Sequence, residues 1–535
     1  MMKSKVEGIF AFDMMAKAEA SSDFPVIVFE NYPNPDEKLT YSDLVLKGNK
    51  VAQALKRAGI SRGDTFSFVM RNHPAFVYCL YAASVLGAVM VPIDPRSKGK
   101  KLSYQIRNSG SKGVLFAGEF IDTMSGVLST LPNVTPIGCD FHDGFSDSVS
   151  SEFPDLKDIL ESPEVPMFDP ENHSANDQLL IMYTSGTTGD PKGVCMRAEW
   201  LQLGVFLSEK VFGYTREDRL YTGLSLTHGN ALHVTLLAAL YHSIPAVISR
   251  KFTKSRLWDI CRKYGCTTFS LLGGMLMGIY SESPRDSDGE NPVRKVLSAG
   301  TPKKIWETFE NRFNVAIHEW YGAVEGGFAH KPPNIGPVGS FGKPLDELSE
   351  MRIVRKDDTE CEVGEMGELI SRKLGEPTRV EYLGNPQASQ NKTRDGWLRS
   401  GDICHRDKDG WLYFDFRKGG GLRRQGDFIM PEHVEAVIAE HPDIGDVCVF
   451  GIEAASGAPG ESDIVAAIVP INNRTPDIKS IFNACLDGLE RNSVPGYLMV
   501  VPEIPKTASE KNLDRLLKAD FDLTAANVHE IVNFQ

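Results

Sequence analysis

Hydrophobic positions along the first four hundred or so residues alternate between two kinds of pattern. A stretch such as LVLKGNKVAQALKRAGI spaces its apolar residues as an amphipathic helix does, and apolar runs such as TFSFVM and FVYCLYAASVLGAVMVPI follow it. This alternation is typical of βα units arranged around largely parallel sheets. The pattern therefore predicts an α/β fold, built from βα layers, for this large part of the chain.

The pattern changes near the segment FRKGGGLRRQGD, where the run of glycines that starts at Gly419 interrupts a dense succession of elements. After it, PEHVEAVIAEH predicts a helix that begins at Pro431, DVCVFGI and DIVAAIVP predict strands, and IKSIFNACLDGLERN predicts a second helix. A chain of 535 residues also exceeds the size that one hydrophobic core organises. We therefore predict a large N-terminal domain over residues 1–418 and a small α+β C-terminal domain over residues 419–535.

Composition narrows the class of partner. Lys and Arg number 58 and Asp and Glu 71, so the formal net charge is −13. That sign disfavours nonspecific binding of nucleic acid or of an anionic membrane, and a small molecule is the expected ligand. The opening MMKSKVEGIFAFDMMAK lacks the apolar core of a signal peptide, and no later stretch reaches the ~18 apolar residues of a membrane-spanning helix. We therefore expect a cytoplasmic protein, whose scattered cysteines form neither disulfides nor a zinc site.

A glycine-rich stretch, MYTSGTTGDPKGV from Met182, is the first indication of chemistry. Its three glycines and four Ser or Thr hydroxyls lie on a bendable backbone, whose N–H groups can converge on an oxyanion such as phosphate. The apolar QLLIMYT before it predicts a buried strand that leads into the loop. The spacing differs from that of the standard P-loop, so a different ATP-handling family is expected. The alternative is a flexible surface loop.

Three further segments offer groups that ATP chemistry needs. EWYGAVEGG supplies Tyr321 as a flat surface for a base and Glu325 as a hard oxygen ligand for Mg²⁺. GWLRSGD places Asp402 after a turn, where its carboxylate can accept hydrogen bonds from ribose hydroxyls, and YFDFRKGGG adds Arg417 beside it. PKTASEKN presents Lys511 in a polar loop. Taken singly, each has a plain alternative as a solvated surface charge or a turn cap.

Taken together and in this order, the segments resemble the adenylate-forming superfamily, which contains acyl-CoA synthetases, nonribosomal adenylation domains and firefly-type luciferases. The resemblance covers nearly the whole chain and is carried by LTYSDL, YAASVLGAVMVPIDP, YTSGTTGDPKGV, LSLTHGN, LSAGTP, YGAVE, GEMGELISR, GWLRSGD, FRKGGGLRRQGDFIMPEHVE and PKTASEK. The overall pattern is similar to that of bacterial CoA ligases of the crotonobetaine/carnitine and medium-chain or alicyclic acid type. The resemblance implies an α/β fold with a large N-terminal domain and a small, mobile α+β C-terminal domain.

The resemblance also implies a role for each matched residue. Lys511 bridges the substrate carboxylate and the α-phosphate of ATP, Glu325 binds Mg²⁺, and His228 lies between the acyl pocket and the nucleotide. Positive charge is needed there because a carboxylate must attack an anionic phosphorus and pyrophosphate must leave. The other residues implied to bind ATP are Thr184, Ser185, Gly186, Thr187, Thr188, Gly189 and Lys192 for the phosphates, Gly300, Thr301, Tyr321 and Gly322 for the base, and Asp402 and Arg417 for the ribose.

Thiol attack on the acyl-adenylate, the second half-reaction, has no use for Lys511. The resemblance implies that the small domain swings about a hinge at Gly419, where most relatives have Asp or Lys, and that Gly426 lines the pantetheine tunnel for coenzyme A. We hypothesise that glycine at the hinge rotates easily but favours neither state strongly. The alternative is a glycine-rich loop that takes no part in the swing.

Other positions in the sequence bear on which acid the protein activates and which acceptor receives the acyl group. His228 stands where amino-acid-activating relatives have Asp, which argues against an α-amino acid. SLTHGNALH, FSLLGGMLMG and LSAGTP are expected to form a roomy, mainly hydrophobic acyl pocket. A chain without a carrier-protein domain favours CoA, which gives an ATP-dependent carboxylic acid–CoA ligase. An acyl-AMP ligase that loads a carrier protein and a noncatalytic acyl-nucleotide sensor are the alternatives, and a homodimer is left open.

Three positions depart from the family pattern. Val324 replaces the usual Thr and removes a hydroxyl that could reach the α-phosphate. Glu510 replaces the glycine usual before the catalytic lysine, which bears on the geometry of the Lys511 loop. LSAGTP also differs from the commoner forms of its motif. None of these departures removes a group that the chemistry requires.

Overall fold

The structure is a computed structural model, and it describes residues 9–142, 152–163, 166–168, 174–184, 191–375, 377–418, 421–424, 427–454, 462–471, 474–489, 491–507 and 510–533. The α-helices in these ranges are α1 (Phe10–Ala20), α2 (Tyr41–Arg57), α3 (Pro74–Leu86), α4 (Gly99–Asn108), α5 (Ile121–Leu128), α6 (Leu156–Leu160), α7 (Leu201–Lys210), α8 (Ala238–His242), α9 (Leu257–Tyr264), α10 (Gly273–Tyr280), α11 (Lys303–Phe313), α12 (Pro386–Lys392), α13 (Pro431–Ile438), α14 (Ile478–Gly488) and α15 (Asp514–Asp520). A π-helix covers Ala231–Leu237, and short 3-10 helices cover Gly118–Phe120, Ala198–Trp200, Lys254–Arg256, Arg491–Ser493 and Ile531–Asn533.

The strands belong to five sheets within the same ranges. They are β1 (Pro25–Glu30), β2 (Glu37–Thr40), β3 (Thr65–Val69), β4 (Val89–Pro92), β5 (Gly113–Ala117), β6 (Thr135–Asp140), β7 (Gln178–Tyr183), β8 (Gly193–Arg197), β9 (Leu220–Thr222), β10 (Ala246–Ser249), β11 (Thr268–Leu272), β12 (Lys295–Ala299), β13 (Ala316–Ala323), β14 (Gly326–Lys331), β15 (Lys343–Pro344), β16 (Ser349–Val354), β17 (Gly367–Lys373), β18 (Thr393–Arg394), β19 (Trp397–Arg406), β20 (Leu412–Arg417), β21 (Leu422–Arg424), β22 (Asp427–Ile429), β23 (Ile444–Glu453), β24 (Ser462–Pro470), β25 (Tyr497–Val500) and β26 (Val528–Glu530).

Two large sheets carry the βα layers that the sequence predicts. One has the order β6-β5-β3-β4-β7-β8 and the other β15-β14-β13-β12-β11-β9-β10-β1-β2. The inner strands run parallel, and antiparallel strands lie only at the edges, namely β8, β2, β14 and β15. Parallel strands covered by helices on both faces are continuous apolar runs, and Phe66 and Phe68 of β3 are fully buried. Ser67, which points to the opposite face of β3 from these two, is also fully buried, so both faces of the strand are covered.

A third sheet does not follow the predicted pattern. β16, β17, β19, β18 and β20 form an antiparallel sheet over Ser349 to Arg417. The expectation of largely parallel sheets is therefore wrong for this part of the chain. The physical reason is that tight turns rather than helices join several of its strands; Asp395 and Gly396 have φ angles of 53° and 78°, as the hairpin between β18 and β19 requires.

The small domain contains the elements predicted for it. Pro431 is in the first turn of α13, and Val434 and Ile438 of that helix are fully buried. β23 and β24 match the two predicted strands, and α14 ends at Gly488, before the predicted end of its helix. β25 and β26, which complete the sheet β23-β24-β25-β26, lie outside the predicted elements. No helix in the described part of the chain is both long and apolar enough to span a bilayer.

Candidate active site

A single large cleft brings most of the predicted site residues together. It has a volume of about 3030 Å³ and is lined by both large sheets, the antiparallel sheet and the small domain. Pockets for single small molecules usually measure ~300–1,000 Å³, so this cleft has room for several substrates. The predicted residues on its wall are Thr184, Lys192, His228, Gly300, Thr301, Tyr321, Gly322, Glu325, Asp402 and Lys511. Ser185, Gly186, Thr187, Thr188, Gly189 and Gly426 lie outside the described residues, as does the hinge candidate Gly419.

The predicted phosphate loop connects the antiparallel strands β7 and β8. Thr184 N–H donates to the carbonyl of Lys192 at 2.9 Å and closes the base of the loop. The Lys192 ammonium lies 5.3 Å from the ring centroid of Tyr382. A strand follows this loop where a helix follows a P-loop, so a helix macrodipole cannot contribute to phosphate binding. Binding would therefore depend on loop N–H groups and the Lys192 charge.

Glu319, which the sequence did not single out, holds the predicted nucleotide segment Gly300–Thr301 in place. Its carboxylate accepts from Gly300 N at 2.5 Å, from Thr301 N at 3.2 Å and from Thr301 Oγ1 at 2.5 Å. Glu319 is 2% exposed, and burial raises its pKa to about 7 although these hydrogen bonds lower it. The carboxylate thus fixes the turn after β12 from the neighbouring strand β13.

A close backbone contact supports the same turn. Gly300 has a φ of 83°, which favours glycine. A Cβ atom on Gly273, at the start of α10, would lie 1.7 Å from the Gly300 carbonyl oxygen. Only glycine at position 273 therefore allows α10 to approach the nucleotide segment this closely.

Tyr321 and Asp402 form the predicted base and ribose side of the cleft. The Tyr321 hydroxyl donates to Asp402 Oδ2 at 2.6 Å, and burial together with the Asp402 carboxylate raises the pKa of Tyr321. The Tyr321 ring also packs on Phe341, with centroids 4.8 Å apart. Asp402 lies within β19 and pairs in register with Arg417 of β20, so the two predicted ribose residues are cross-strand neighbours. The hairpin turn that leads into GWLRSGD is at Asp395–Gly396, several residues before Asp402, and Gly401, directly before Asp402, has a φ of 80°.

Glu325 lies in the short connection between β13 and β14, next to Val324. Its Oε1 accepts from the hydroxyl of Tyr382 at 2.8 Å. Tyr382 thus contacts both Glu325 and Lys192, although no periodic pattern marks it in the sequence. Among the described residues no cluster of three or more His, Cys, Asp or Glu side chains could hold a metal ion. A single carboxylate near the predicted phosphate loop nevertheless fits Mg²⁺, which protein carboxylates and nucleotide phosphates usually hold together.

His228 also lines the cleft, in the turn before the π-helix, and a Cβ on its neighbour Gly229 would lie 3.5 Å from the Val324 side chain. Its Nδ1 accepts from Asn230 N–H at 3.2 Å, so the neutral ring carries its proton on Nε2. Burial and, second, the positive charge of Lys511 lower the pKa of His228 to about 4. The small domain therefore presents Lys511 to His228, and the imidazole stays neutral at ordinary pH.

The Lys511 loop keeps its shape despite the substitution of glycine by Glu510. Thr507 N–H donates to the Lys511 carbonyl at 2.8 Å, and Lys511 N–H donates to Thr507 Oγ1 at 3.1 Å. Glu510 adopts a φ of 57°, the left-handed conformation that glycine adopts without strain. Arg96 of the large domain donates to the carbonyl of Lys506 at 3.5 Å. The departure therefore strains one residue but does not displace Lys511 from the cleft.

Known proteins are similar to this chain over nearly its whole length. Residues 15–375 match the model of the AMP-binding enzyme family, and residues 433–511 match the C-terminal domain of AMP-binding enzymes. A medium/long-chain-fatty-acid–CoA ligase of Mycobacterium marinum is 30% identical over 492 residues, which cover 91% of this chain and 92% of the relative. A crotonobetaine/carnitine–CoA ligase of Salmonella arizonae is 25% identical over 509 residues, covering 93% and 96% of the two chains.

Solved structures share the fold at lower identity. The anthranilate–CoA ligase AuaEII, solved with anthranoyl-AMP, superposes with a TM-score of 0.81 at 20% identity and covers 97% of this chain and 99% of its own. These matches confirm the predicted fold class, a mixed α/β protein with a large N-terminal and a small C-terminal domain. The family-model matches and the 30% identical relative confirm the predicted superfamily. The chain belongs to the AMP-binding enzyme family of adenylate-forming proteins.

Proposed function

We propose that this enzyme is an ATP-dependent ligase that joins a carboxylic acid to coenzyme A through an acyl-AMP intermediate. The observation that carries the proposal is the position of Lys511, which lines the same cleft as the part-buried His228 and is near enough for its charge to lower the pKa of that imidazole. A cation at this point lies between an acyl pocket and a nucleotide wall. That is the place where a carboxylate and an α-phosphate would have to meet.

In the first half-reaction, the substrate carboxylate attacks the α-phosphorus of ATP and pyrophosphate leaves. Lys511 offsets the repulsion between the two anions and stabilises the charge that develops in the transition state. Asp402 and Arg417 hold the ribose, and Tyr321 provides a flat surface for adenine. Lys192 and the loop before it hold the β- and γ-phosphates.

Glu325 would ligate Mg²⁺, which supplies neutralising charge to the phosphates when it is bound. Tyr382 orients this carboxylate through its hydroxyl. Neutral His228 can donate from Nε2 to an oxygen of the carboxylate and needs no change of protonation to do so. Val324 contributes no hydroxyl, so the contacts to the α-phosphate come from other groups.

The second half-reaction requires the small domain to move. The thiol of CoA attacks the acyl carbon and AMP leaves, and a thiol cannot approach while the Lys511 loop lies at the acyl pocket. We propose Gly419 as the hinge between residues 1–418 and 419–535, and Gly426 as part of the pantetheine tunnel. Support comes from β20, which ends at Arg417, and from β21, which starts the small domain at Leu422.

The names of relatives narrow the choice of substrate acid and of acyl acceptor. The two relatives described above are, by name, ligases that join CoA to medium- or long-chain fatty acids and to crotonobetaine or carnitine. A fatty or other largely apolar acid is therefore the proposed substrate class, and the carrier-protein alternative is not favoured. The nine free cysteines suit the reducing cytoplasm, which also supplies ATP and CoA.

ATP–pyrophosphate exchange across a panel of short, medium, aromatic and alicyclic acids tests the first half-reaction. Addition of CoA and mass spectrometry of the products test the second. We expect exchange with at least one acid class, followed by its CoA thioester. Exchange without a thioester would replace CoA by a carrier protein as acceptor, and absence of exchange with every acid would contradict the proposed activity.

A further inference from the structure

The acyl pocket contains polar side chains that a plain fatty acid cannot satisfy. The pocket is the part of the cleft next to His228, and its apolar wall is formed by Leu203, Phe206, Leu207, Val234, Phe328 and Leu348. These six residues lie outside the segments that the sequence predicts for the pocket, although Leu272 and Ala299 of those segments also line the cleft. Within this wall lie His233, Asn230 and Trp320. An inference about their ligand rests on the proposed ligase function, because it concerns the acid that this pocket receives.

His233 is the most unusual of the three. It is 6% exposed, and neither of its ring nitrogens has a hydrogen-bond partner among the described residues. The Trp200 ring meets it edge to face with centroids 3.8 Å apart, and a Cβ on Gly204 would lie 3.0 Å from its Nδ1. Burial lowers the pKa of His233 to about 3, so the ring is neutral. A neutral imidazole offers one N–H donor and one nitrogen acceptor, and both are unused here.

Asn230 and Trp320 add two more unused groups on the same wall. Asn230 is 2% exposed; its Nδ2 donates to the Leu271 carbonyl at 3.5 Å, but its Oδ1 has no partner in the described structure. The indole Nε1 of Trp320, which can only donate, likewise lacks one. Buried polar groups are normally hydrogen-bonded, so these three point to a partner that is missing here. Their residues line one pocket wall, but the unpaired atoms are closed off from the cleft, so a ligand pairs with them only after the side chains over them shift.

The backbone supports a binding role for this wall. Residues Ala231–Leu237, which include His233, form a π-helix rather than an α-helix. π-helical turns are rare and occur frequently at functional sites. Asn230 directly precedes this turn, and His228 lies two residues earlier. The helix therefore connects the adenylation centre with the unpaired imidazole.

We propose that the physiological acid carries a hydroxyl group on its acyl part, and that His233 with Asn230 recognises that hydroxyl. A hydroxyl can accept from the N–H of His233 and donate to Asn230 Oδ1, so it pairs with one donor and one acceptor of this wall. A keto oxygen only accepts and would leave Asn230 Oδ1 unpaired. An unsubstituted alkyl chain would leave all of these groups unpaired, and sites built for hydrogen bonding discriminate strongly against such analogues.

The test compares pairs of acids on one enzyme. The probes are octanoic acid with a set of octanoic acids that carry one hydroxyl at each successive carbon, and cyclohexanecarboxylic acid with its ring-hydroxylated derivatives. Pyrophosphate release gives kcat/KM for each. We expect at least one hydroxylated acid to exceed its parent by about tenfold or more.

Variants of His233 test whether the imidazole causes this preference. In His233→Phe the ratio of hydroxylated to parent acid should fall to about one, whereas His233→Gln, which keeps a donor and an acceptor, should restore part of it. The ratio is taken within one enzyme sample, so partial misfolding of a variant cancels.

Three outcomes would overturn the proposal. Wild-type enzyme that prefers the parent acid over every hydroxylated derivative would show that the wall does not select a hydroxyl. A preference that survives in His233→Phe would assign the selection to other residues. Failure of all acids, parent compounds included, would instead remove the proposed ligase function on which the inference rests.

Discussion

The nucleotide wall of the large domain and the Lys511 loop of the small domain hold their functional groups in different ways. On the wall, Glu319 is buried and binds Gly300 and Thr301 through both backbone and side-chain hydrogen bonds. In the loop, Lys511 is exposed, and a neighbouring threonine on the same loop pairs with its backbone. The nucleotide wall is therefore part of the buried core, whereas the Lys511 loop is an exposed loop that reaches the cleft from the small domain.

A two-step ligase has two different structural requirements, and each of these two regions suits one of them. Preorganised groups stabilise charge without reorganisation during the reaction, so the surface that holds the nucleotide benefits from rigidity in both steps. In the proposed mechanism Lys511 serves only the first step, and a group that must leave is better placed on a surface loop with few buried contacts. The comparison predicts that changes to the loop affect one half-reaction, whereas changes to the wall affect stability and both half-reactions.

Lys511→Ala should produce the largest effect. Loss of one charge that acts on the transition state typically lowers a rate by ~10²–10³-fold, and we expect adenylation to fall by this amount. Thioester formation from synthetic acyl-AMP and CoA should change by less than about threefold, because this step does not use the lysine. Lys518→Ala, which removes an exposed lysine paired with Asp514 on α15, is the matched control. Equal loss of both half-reactions would contradict the assignment of Lys511 to adenylation.

Substitution of Glu510 tests whether the geometry of the loop matters as much as the charge. Proline cannot adopt the φ of 57° found here, so Glu510→Pro should displace Lys511 and lower adenylation by about 10²-fold. Glu510→Gly adopts this φ freely and should keep the rate within about threefold of wild type. Pyrophosphate exchange measures both variants. Full activity in Glu510→Pro would show that the loop tolerates another backbone path.

Gly273→Ala should disturb the wall instead. The added Cβ would lie 1.7 Å from the Gly300 carbonyl oxygen, so the backbone must shift, and we expect a loss of unfolding free energy of ~1–3 kcal/mol. A raised KM for ATP in pyrophosphate exchange and a raised KM for acyl-AMP in thioester formation should accompany it. Gly278→Ala on the same helix is the control, because its nearest neighbour would be the Lys254 side chain at 3.9 Å. Denaturant unfolding that shows equal stability for the two variants would contradict the close contact.

The sequence predicted well what local segments determine. Phosphate, ribose and metal chemistry each need particular residue types on short loops, so Lys192, Glu325, Asp402 and Lys511 could be found one motif at a time. The family, the fold class and the CoA ligase reading followed from these motifs and are confirmed. The roles of the individual residues stay predictions.

The sequence did not predict what contacts between distant segments determine. Glu319 appears as one more polar residue of a strand, and its role depends on β12 lying beside β13 with Ser298 opposite Glu319. Tyr382 matters because it contacts Glu325 and Lys192, which lie far from it in the sequence. Glu510 appeared as a departure until its backbone angle showed that it adopts the conformation of the glycine it replaces. The unpaired state of His233 depends in the same way on the helices packed around it.

The smallest expected effect is a change in the pKa of His228, and it measures directly whether the loop lies in the cleft. Burial and the Lys511 charge both disfavour the imidazolium and lower this pKa to about 4. In Lys511→Ala the second cause disappears while burial remains, so the pKa should rise but stay below the ordinary value of about 6.5. NMR titration of labelled histidines measures it, and His233 is the internal reference because burial alone lowers its pKa to about 3. A rise at His228 with no change at His233 would show that the small domain delivers its charge to one point of the cleft. An unchanged pKa at His228 would show that the loop spends most of its time elsewhere in solution.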